Sequence, residues 1–162
     1  MNPGSELNVY NLELAWAKGP LTLQAEAYHA ETNGQRLYMT GAYAQVSYFL
    51  TGEHREYDRT MKSFGRVCPS NPVLGGCHRG KGAWEVVTRY GYNDVDYVPA
   101  LVAGAAVPHV VIGDQMDLTV GVNWYLSSNT RVMVNYVRSE ADYTFIGTSQ
   151  ADHLGARIAW DY

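Results

Sequence analysis

The chain has 162 residues, of which 46% are hydrophobic, and a formal net charge of −4. A negative net charge argues against a general nucleic-acid binder, whose usual footprint is a basic surface. No stretch approaches the roughly 20 consecutive apolar residues of a transmembrane helix, so helical membrane spans are excluded. The aromatic residues are 13 Tyr and 4 Trp against 3 Phe, and Tyr and Trp favour a boundary between membrane and water.

Seven segments alternate apolar and polar side chains with the two-residue period of a β-strand. In the first, Leu12, Leu14 and Trp16 lie on one side and Glu13 on the other, and the sequence Lys18-Gly19-Pro20 predicts a tight reversal into the second. The predicted strands are Tyr10–Ala17, Leu21–Tyr28, Leu37–Leu50, Gly82–Tyr92, Asp117–Leu126, Arg131–Val137 and His153–Tyr162.

The later strands carry aromatic residues at the ends of their apolar faces. In the fourth, Trp84 and Tyr92 begin and end that face. Ser127-Ser128-Asn129 predicts the reversal between the fifth and sixth strands. The last ten residues, HLGARIAWDY, alternate strictly and finish on an aromatic. Such a terminal strand is typical of bacterial outer-membrane barrels, in which the apolar face meets lipid and the polar face meets water.

Alternation alone fits a soluble antiparallel sandwich or barrel as well as a membrane barrel. The aromatic residues on apolar faces favour the membrane barrel, because two aromatic girdles mark its interfaces. These residues are Trp16, Tyr48, Trp84, Tyr92, Trp124, Tyr136, Trp160 and Tyr162. We therefore predict an all-β fold, a transmembrane antiparallel up-and-down β-barrel. A large soluble barrel or sandwich with an aromatic core is the alternative.

The predicted strand count is incomplete for a membrane barrel. Lipid requires every strand edge to be paired, and single-chain bacterial barrels use an even number of strands. We therefore expect further strands upstream, or one more strand within 98–112. The chain begins MNPGSELNVY without the basic and apolar regions of a signal peptide. Together these features predict the C-terminal portion of a longer porin, with a chain that is not exported as the alternative.

Four stretches carry a more specific signal. They are GAYAQVSYFLTGEHREYD at 41–58, FGRVCP at 64–69, GAWEVVTRYGYNDVD at 82–96 and DLTVGVNWYLSSNTRVMVNYVRSEAD at 117–142. The stretches resemble the phosphate-selective porin O and P family, and the likeness extends from about Leu12 to Tyr162. The resemblance implies a sixteen-stranded homotrimeric channel of the bacterial outer membrane, surrounded by its lipid, with this chain forming about seven or eight strands. It also implies passive diffusion of phosphate, polyphosphate or other small anions, with no cofactor.

The segment 51–81, named here the basic segment, is the first candidate for an anion path. A periplasmic C-terminus, usual in such barrels, places this segment on the periplasmic side and 93–115 outside. Periplasmic turns are normally short. This one carries half of the twelve Lys and Arg residues, namely Arg55, Arg59, Lys62, Arg66, Arg79 and Lys81. Folded into the lumen it would concentrate anions, whereas a solvated periplasmic loop is the alternative.

Three further arginines lie on the polar faces of predicted strands and are expected to project inward. They are Arg89, Arg131 and Arg157. Acidic residues share those faces, so the sequence predicts a modest anion preference. These residues are Glu13, Glu26, Glu85, Asp117 and Asp161.

Cys68 and Cys77 enclose a short loop with two prolines, which predicts a disulfide in the oxidising periplasm. Zinc binding with the neighbouring His78 is the weaker alternative, because two thiols and one His lack a second ligand cluster. No metal site is therefore predicted.

Catalytic motifs are missing from the sequence. The five His residues show no HExxH spacing, and no Gly-x-Ser-x-Gly motif occurs. The sequence therefore predicts no enzyme. It leaves two functional hypotheses, a diffusion channel for phosphate-like anions and a plugged or structural barrel that binds a ligand or partner.

Overall fold

The computed structural model describes residues 6–33, 37–75, 80–97, 113–143 and 147–161. The strands within these ranges are β1 (Glu6–Lys18), β2 (Leu21–Asn33), β3 (Leu37–Phe49), β4 (Tyr57–Asp58), β5 (Ser63–Phe64), β6 (Ala83–Tyr97), β7 (Gly113–Tyr125), β8 (Thr130–Tyr143) and β9 (Gly147–Trp160). Within these ranges there is no helix long and apolar enough to cross a membrane.

The long strands form one antiparallel sheet in the order β1-β2-β3-β6-β7-β8-β9. Each pairs with the next long strand in the chain, and the basic segment is the connection between β3 and β6. Strands β4 and β5 form a separate small hairpin within that segment. The seven predicted strands and the all-β antiparallel fold are confirmed, while the hairpin was not predicted, because two-residue strands leave no periodic signal.

Six of the seven long strands are longer than predicted, mostly at the end away from the tight turns, whereas β3 ends one residue before its predicted end. Strand β6 continues to Tyr97 and β7 begins at Gly113, so the connection between them is 98–112 rather than 93–115. That connection, with its predicted extra strand, lies outside the described residues. The bounds differ because polar residues such as Asp94 and Asp114 end the apolar alternation, whereas the backbone ladder continues and pairs these two residues.

The two faces of the sheet differ as the alternation predicts. Apolar side chains such as Leu12, Val120 and Ile158 are exposed on one face, which we call the outward face. The opposite, inward face is polar and concave. Its buried apolar residues lie at one end, where Phe49, Ala83 and Tyr125 pack with Val67 of the basic segment.

The four tryptophans of the outward face, Trp16, Trp84, Trp124 and Trp160, all lie near the turn end of the sheet. Trp84 and Trp124 are directly opposite in register, and their rings stack with centroids 5.0 Å apart. Both indole N–H groups donate to the Lys81 carbonyl, at 3.1 and 2.8 Å. This arrangement satisfies the polar atoms of two rings that otherwise present an apolar surface, as side chains at a membrane interface require.

Gly82, between the basic segment and β6, occupies a position that a side chain cannot enter without strain. Its φ is +70°, and a Cβ there would lie 2.3 Å from the Tyr125 carbonyl oxygen. Its N–H donates to the Asn71 carbonyl at 2.8 Å. The close approach of three backbone segments thus depends on a residue without a Cβ.

We predict that Gly82→Ala lowers the free energy of unfolding by about 1–3 kcal/mol, because Ala at positive φ is strained and its methyl group collides with backbone. Gly91→Ala, in the neighbouring strand β6, is the matched control, since a Cβ at Gly91 meets no atom within 4 Å. Urea unfolding of both variants in detergent measures the difference. Equal stability of the two would contradict the strain at Gly82.

Candidate functional site

A groove of about 720 Å³ runs along the inward face, lined by β2, β3, β6, β7 and β8 together with Arg55. Amides, hydroxyls and carboxylates form most of its wall. Asn93, Asn123 and Asn135 supply amides, while Glu26 and Asp117 supply carboxylates. Because strand side chains alternate in direction, the groove collects the polar residues of all five strands on one side.

Arg89 is the arginine that β6 presents to this groove. Its guanidinium carbon lies 3.8 Å from the centroid of the Tyr43 ring on the neighbouring strand β3. Arg89 as a whole is exposed. Stacking on an aromatic face fixes a guanidinium while its N–H groups, which lie in its plane, stay available for hydrogen bonds. Arg89 therefore presents a held, accessible cation to the groove.

Several groove residues are fixed by side-chain hydrogen bonds, most of which run between strands. The Tyr28 hydroxyl donates to the Asn93 side-chain oxygen at 2.8 Å, and the Gln45 amide donates to the Gln24 oxygen at 3.1 Å. The Asp117 carboxylate accepts from the side-chain amide of Gln115 at 3.0 Å and from the Ser139 hydroxyl. These bonds give the wall defined positions for polar atoms.

The first half of the basic segment lies over the inward face. Lys62, Ser63 and Phe64 share a second groove, of about 600 Å³, with the inward residues Glu13 and Gln45. Within the β4–β5 hairpin the Tyr57 and Phe64 rings meet edge to face at 5.3 Å. The hairpin thus shares a groove with strands β1 to β3, and residues of the segment contact β6 and β7 through the buried cluster and the ion pair described next.

A buried ion pair connects this segment to the sheet. Arg55 donates from Nε and Nη2 to Glu85 Oε1 at 3.1 and 3.0 Å, and from Nη2 to Oε2 at 2.8 Å. Glu85 Oε2 also accepts from Asn123 Nδ2 and from the Tyr125 hydroxyl, each at 2.9 Å. The Glu85 side chain has no exposed surface, and that of Arg55 is 20% exposed. Burial alone would lower the pKa of Arg55, but Glu85 and Tyr125 raise it above its ordinary value.

A second attachment is centred on Glu53, which is buried at 6% exposure. Its carboxylate accepts from the Thr51 hydroxyl and from the Ser70 backbone N–H, the latter at 3.2 Å. The Thr51 oxygen in turn accepts from the Trp84 backbone N–H at 3.0 Å. Burial acts to raise the pKa of Glu53, but these hydrogen bonds outweigh it and hold that pKa below its ordinary value.

The structure places the other predicted cations at different positions. Arg59 is exposed in the turn of the hairpin, and Lys81 is exposed beside the tryptophan pair. Arg66 and Arg131 line a smaller pocket of about 220 Å³ that also includes Asp161. Arg157 is exposed on β9. Of the predicted cations that the structure describes, Arg55 and Arg89 line the main groove.

Two of the predicted site residues lie outside the described residues, Arg79 and Cys77. Cys68 is exposed, and its disulfide with Cys77 stays a prediction. Among the residues that the structure describes, no group of three or more His, Cys, Asp or Glu could hold a metal ion.

Sequence reasoning missed three residues that organise the site, namely Tyr43, Asn123 and Tyr125. A signal for the two tyrosines is present, because both are aromatic residues on the polar face of a strand. Such placement is unexpected for a side chain that faces water and indicates a partner on that face. Here the partners are Arg89 for Tyr43 and the Arg55–Glu85 pair for Tyr125.

We predict that Glu53→Gln lowers the free energy of unfolding at pH 7 by about 1–3 kcal/mol, because hydrogen bonds to a charged acceptor are lost. Since the folded pKa of Glu53 is depressed, its stabilisation is present above the unfolded pKa, near 4.5, and is lost as the pH falls through the folded value. Urea unfolding at pH 7 and pH 3 should therefore show a larger difference between wild type and variant at pH 7 than at pH 3.

Glu56→Gln is the matched control for this experiment. Glu56 and His54 form an exposed pair at 3.9 Å, and exposed pairs contribute little. A pH-independent effect of Glu53→Gln, or an equal effect of Glu56→Gln, would contradict the role of the Glu53 carboxylate.

Comparison with known proteins gives the family of this chain. Residues 1–160 match the family described as phosphate-selective porin O and P. The chain is 34% identical over 140 residues to Porin O of Pseudomonas aeruginosa, a match that covers 83% of this chain and 30% of that protein. It is also 41% identical over 90 residues to an uncharacterized protein of Caulobacter vibrioides, with 54% and 17% covered.

The chain thus spans less than a third of the length of these two relatives. The resemblance drawn from the sequence is confirmed, and the antiparallel sheet with its apolar outward face is the architecture of a barrel wall. The chain belongs to the phosphate-selective porin O and P family, and it forms part of the β-barrel of a Gram-negative outer-membrane protein.

Proposed function

We propose that the protein is a channel for passive diffusion of phosphate, polyphosphate or similar small anions, assembled as a homotrimer in the outer membrane. The inward groove forms part of the wall of its lumen, and the basic segment lies within the lumen. One observation carries this proposal: a segment rich in cations contacts the inward, polar face of the sheet. Family membership favours a channel over an enzyme.

The cations in the hairpin and just after it supply the attraction for anions. Arg59, Lys62 and Arg66 are exposed, and within the described ranges none of them forms an ion pair. Inside a narrow lumen with low-dielectric walls, such charges raise the local concentration of anions. Their exposure also keeps them hydrated, so an anion that binds there is released again, as conduction requires.

Arg89 supplies a contact with defined geometry. Its planar fork matches two oxygens of a phosphate group, and Tyr43 holds it at the groove wall. The carboxylates of Glu26 and Asp117 face the same groove. The described part of the wall is therefore mixed in charge, which favours a moderate anion preference over an absolute one.

A plugged barrel that binds a ligand or partner is the second candidate function. The observation that favours it is the firm attachment of the basic segment through Arg55 and Glu85, since a fixed segment in a lumen obstructs flow. Conductance separates the two candidates, because a channel carries current across a bilayer and a plugged barrel does not.

We predict that Arg89→Gln in the complete protein lowers the chloride-to-potassium permeability ratio by about fivefold. That factor corresponds to the ~1 kcal/mol between unit charges 4 Å apart in water. The readout is the zero-current potential across a planar bilayer with a potassium chloride gradient. Arg138→Gln is the matched control, because Arg138 is an exposed arginine of opposite strand parity on β8. An equal decrease of the permeability ratio in both variants would show that Arg89 does not lie on the anion path.

We also predict that the triple variant Arg59→Gln/Lys62→Gln/Arg66→Gln has a weaker anion preference at 0.1 M salt, and that its difference from wild type shrinks at 1 M. Salt screens exposed charges over about 10 Å at 0.1 M and 3 Å at 1 M. The same bilayer measurement at both concentrations tests this. An unchanged anion preference at 0.1 M would show that these cations do not lie on the anion path. A wild-type protein that carries no current would support the plugged barrel.

A further inference from the structure

We propose that Glu85 is a positioning residue, which holds Arg55 and thereby fixes the hairpin of the basic segment over the inward face of the sheet. In this assignment Arg55 is an anchor and binds no permeant anion, and the pair sets the width of the open path. Only the statement about the width of the open path rests on the proposed channel function.

The first argument is that the two charges are paired with each other. The Glu85 carboxylate accepts hydrogen bonds from the side chains of Arg55, Asn123 and Tyr125. Arg55 Nη2 bonds both carboxylate oxygens and the Tyr125 hydroxyl, the last at 2.7 Å. A guanidinium with a carboxylate 2.8 Å away acts at longer range as a dipole, so its attraction for a third ion is small.

The second argument is the position of the partners. Glu85 and Asn123 are directly opposite in the register of β6 and β7, and Tyr125 lies two residues further along β7. Arg55 is the member that comes from the basic segment, 30 residues before Glu85 and 70 before Tyr125. A single guanidinium thus connects the segment to two adjacent strands of the wall.

The third argument is the apolar surround of the pair. The Arg55 guanidinium carbon lies 5.7 Å from the centroid of the Phe49 ring, which packs against Tyr125 at 5.8 Å. Phe49, Tyr125 and Val67 are each at most 5% exposed. Exclusion of water strengthens the hydrogen bonds of the pair, and it makes either charge costly to leave alone. Removal of one partner is therefore expected to release the other.

The hairpin depends on this pair more than the rest of the basic segment does. Beyond the hairpin, Val73 and Leu74 donate backbone N–H bonds to the Leu126 carbonyl, and Gly80 and Gly82 bond to Pro72 and Asn71. Glu53 fixes Ser70. Loss of the pair should therefore free the hairpin, with its cations Arg59 and Lys62 and the adjoining Arg66, while both ends of the segment stay attached.

Limited trypsin digestion of the complete, folded protein tests this assignment, because trypsin cleaves after those three cations. In the closed barrel we expect slow cleavage of the wild-type hairpin. Glu85→Gln and Arg55→Gln should each be cleaved at these sites at least about tenfold faster, since cleavage follows the population of the released state. Arg55→Lys, which keeps the charge but loses the fork, should be intermediate. Mass spectrometry of the fragments identifies the sites.

Asp117→Asn is the matched control, since it also removes an inward carboxylate but one whose partners are Gln115 and Ser139 of the wall. The double variant Arg55→Gln/Glu85→Gln guards against misfolding, because it leaves no unpaired buried charge. It should be cleaved as fast as either single variant, with an unchanged far-UV circular dichroism spectrum. If Glu85→Gln, Arg55→Gln and the double variant are all cleaved as slowly as Asp117→Asn, the proposal is overturned.

Conductance of the same variants at 1 M potassium chloride separates an anchor from an anion contact. An anchor predicts that Glu85→Gln, Arg55→Gln and the double variant raise the conductance by one common factor. If Arg55 contacted anions instead, the double variant, which removes Arg55 without changing the net charge, would weaken the anion preference measured from the zero-current potential, and that result overturns the proposal. Faster cleavage together with a silent membrane in every variant supports the positioning role of Glu85 and contradicts the channel function.

Discussion

Backbone N–H and C=O groups that face lipid must pair with a neighbouring strand, and the rest of this structure depends on that constraint. It accounts for seven strands of 13–15 residues in continuous antiparallel register. With the backbone paired, side chains alone decide what each face meets. The outward face is apolar and carries the stacked Trp84–Trp124 pair at its turn end, which leaves the inward face free to hold amides, carboxylates and arginines.

A polar inward face makes a local core of unusual composition possible. In a soluble protein a fully buried glutamate would be surrounded by the main hydrophobic core. Here Glu85 lies in a small cluster with Phe49, Val67, Ala83 and Tyr125, formed where the basic segment covers the sheet. The segment brings its own cation to that glutamate. Charge pairing and apolar packing thus act together to join a long connection to the wall, while the exposed cations of the same connection remain in water.

The sequence predicts the strands well, because a two-residue period that continues along a segment fits an extended strand and does not fit a helix. It predicts their ends poorly, since Asp94 and Asp114 interrupt the alternation where the backbone ladder continues. Within the candidate site it identifies cations but cannot rank them. Arg55 and Arg59 look alike in sequence, yet one is paired with a buried carboxylate and the other is exposed. That difference depends on Glu85, Asn123 and Tyr125, which are distant in sequence and meet Arg55 only in the folded chain.

The central claim is that this wall and segment belong to an anion channel. The most direct test is the zero-current potential of the complete wild-type protein in a planar bilayer, across a potassium chloride gradient, before and after phosphate is added. The account predicts a potential whose sign shows chloride preference, with a chloride current that falls when phosphate competes for the path. A potential of zero or of the opposite sign, or a membrane that stays silent, would contradict it.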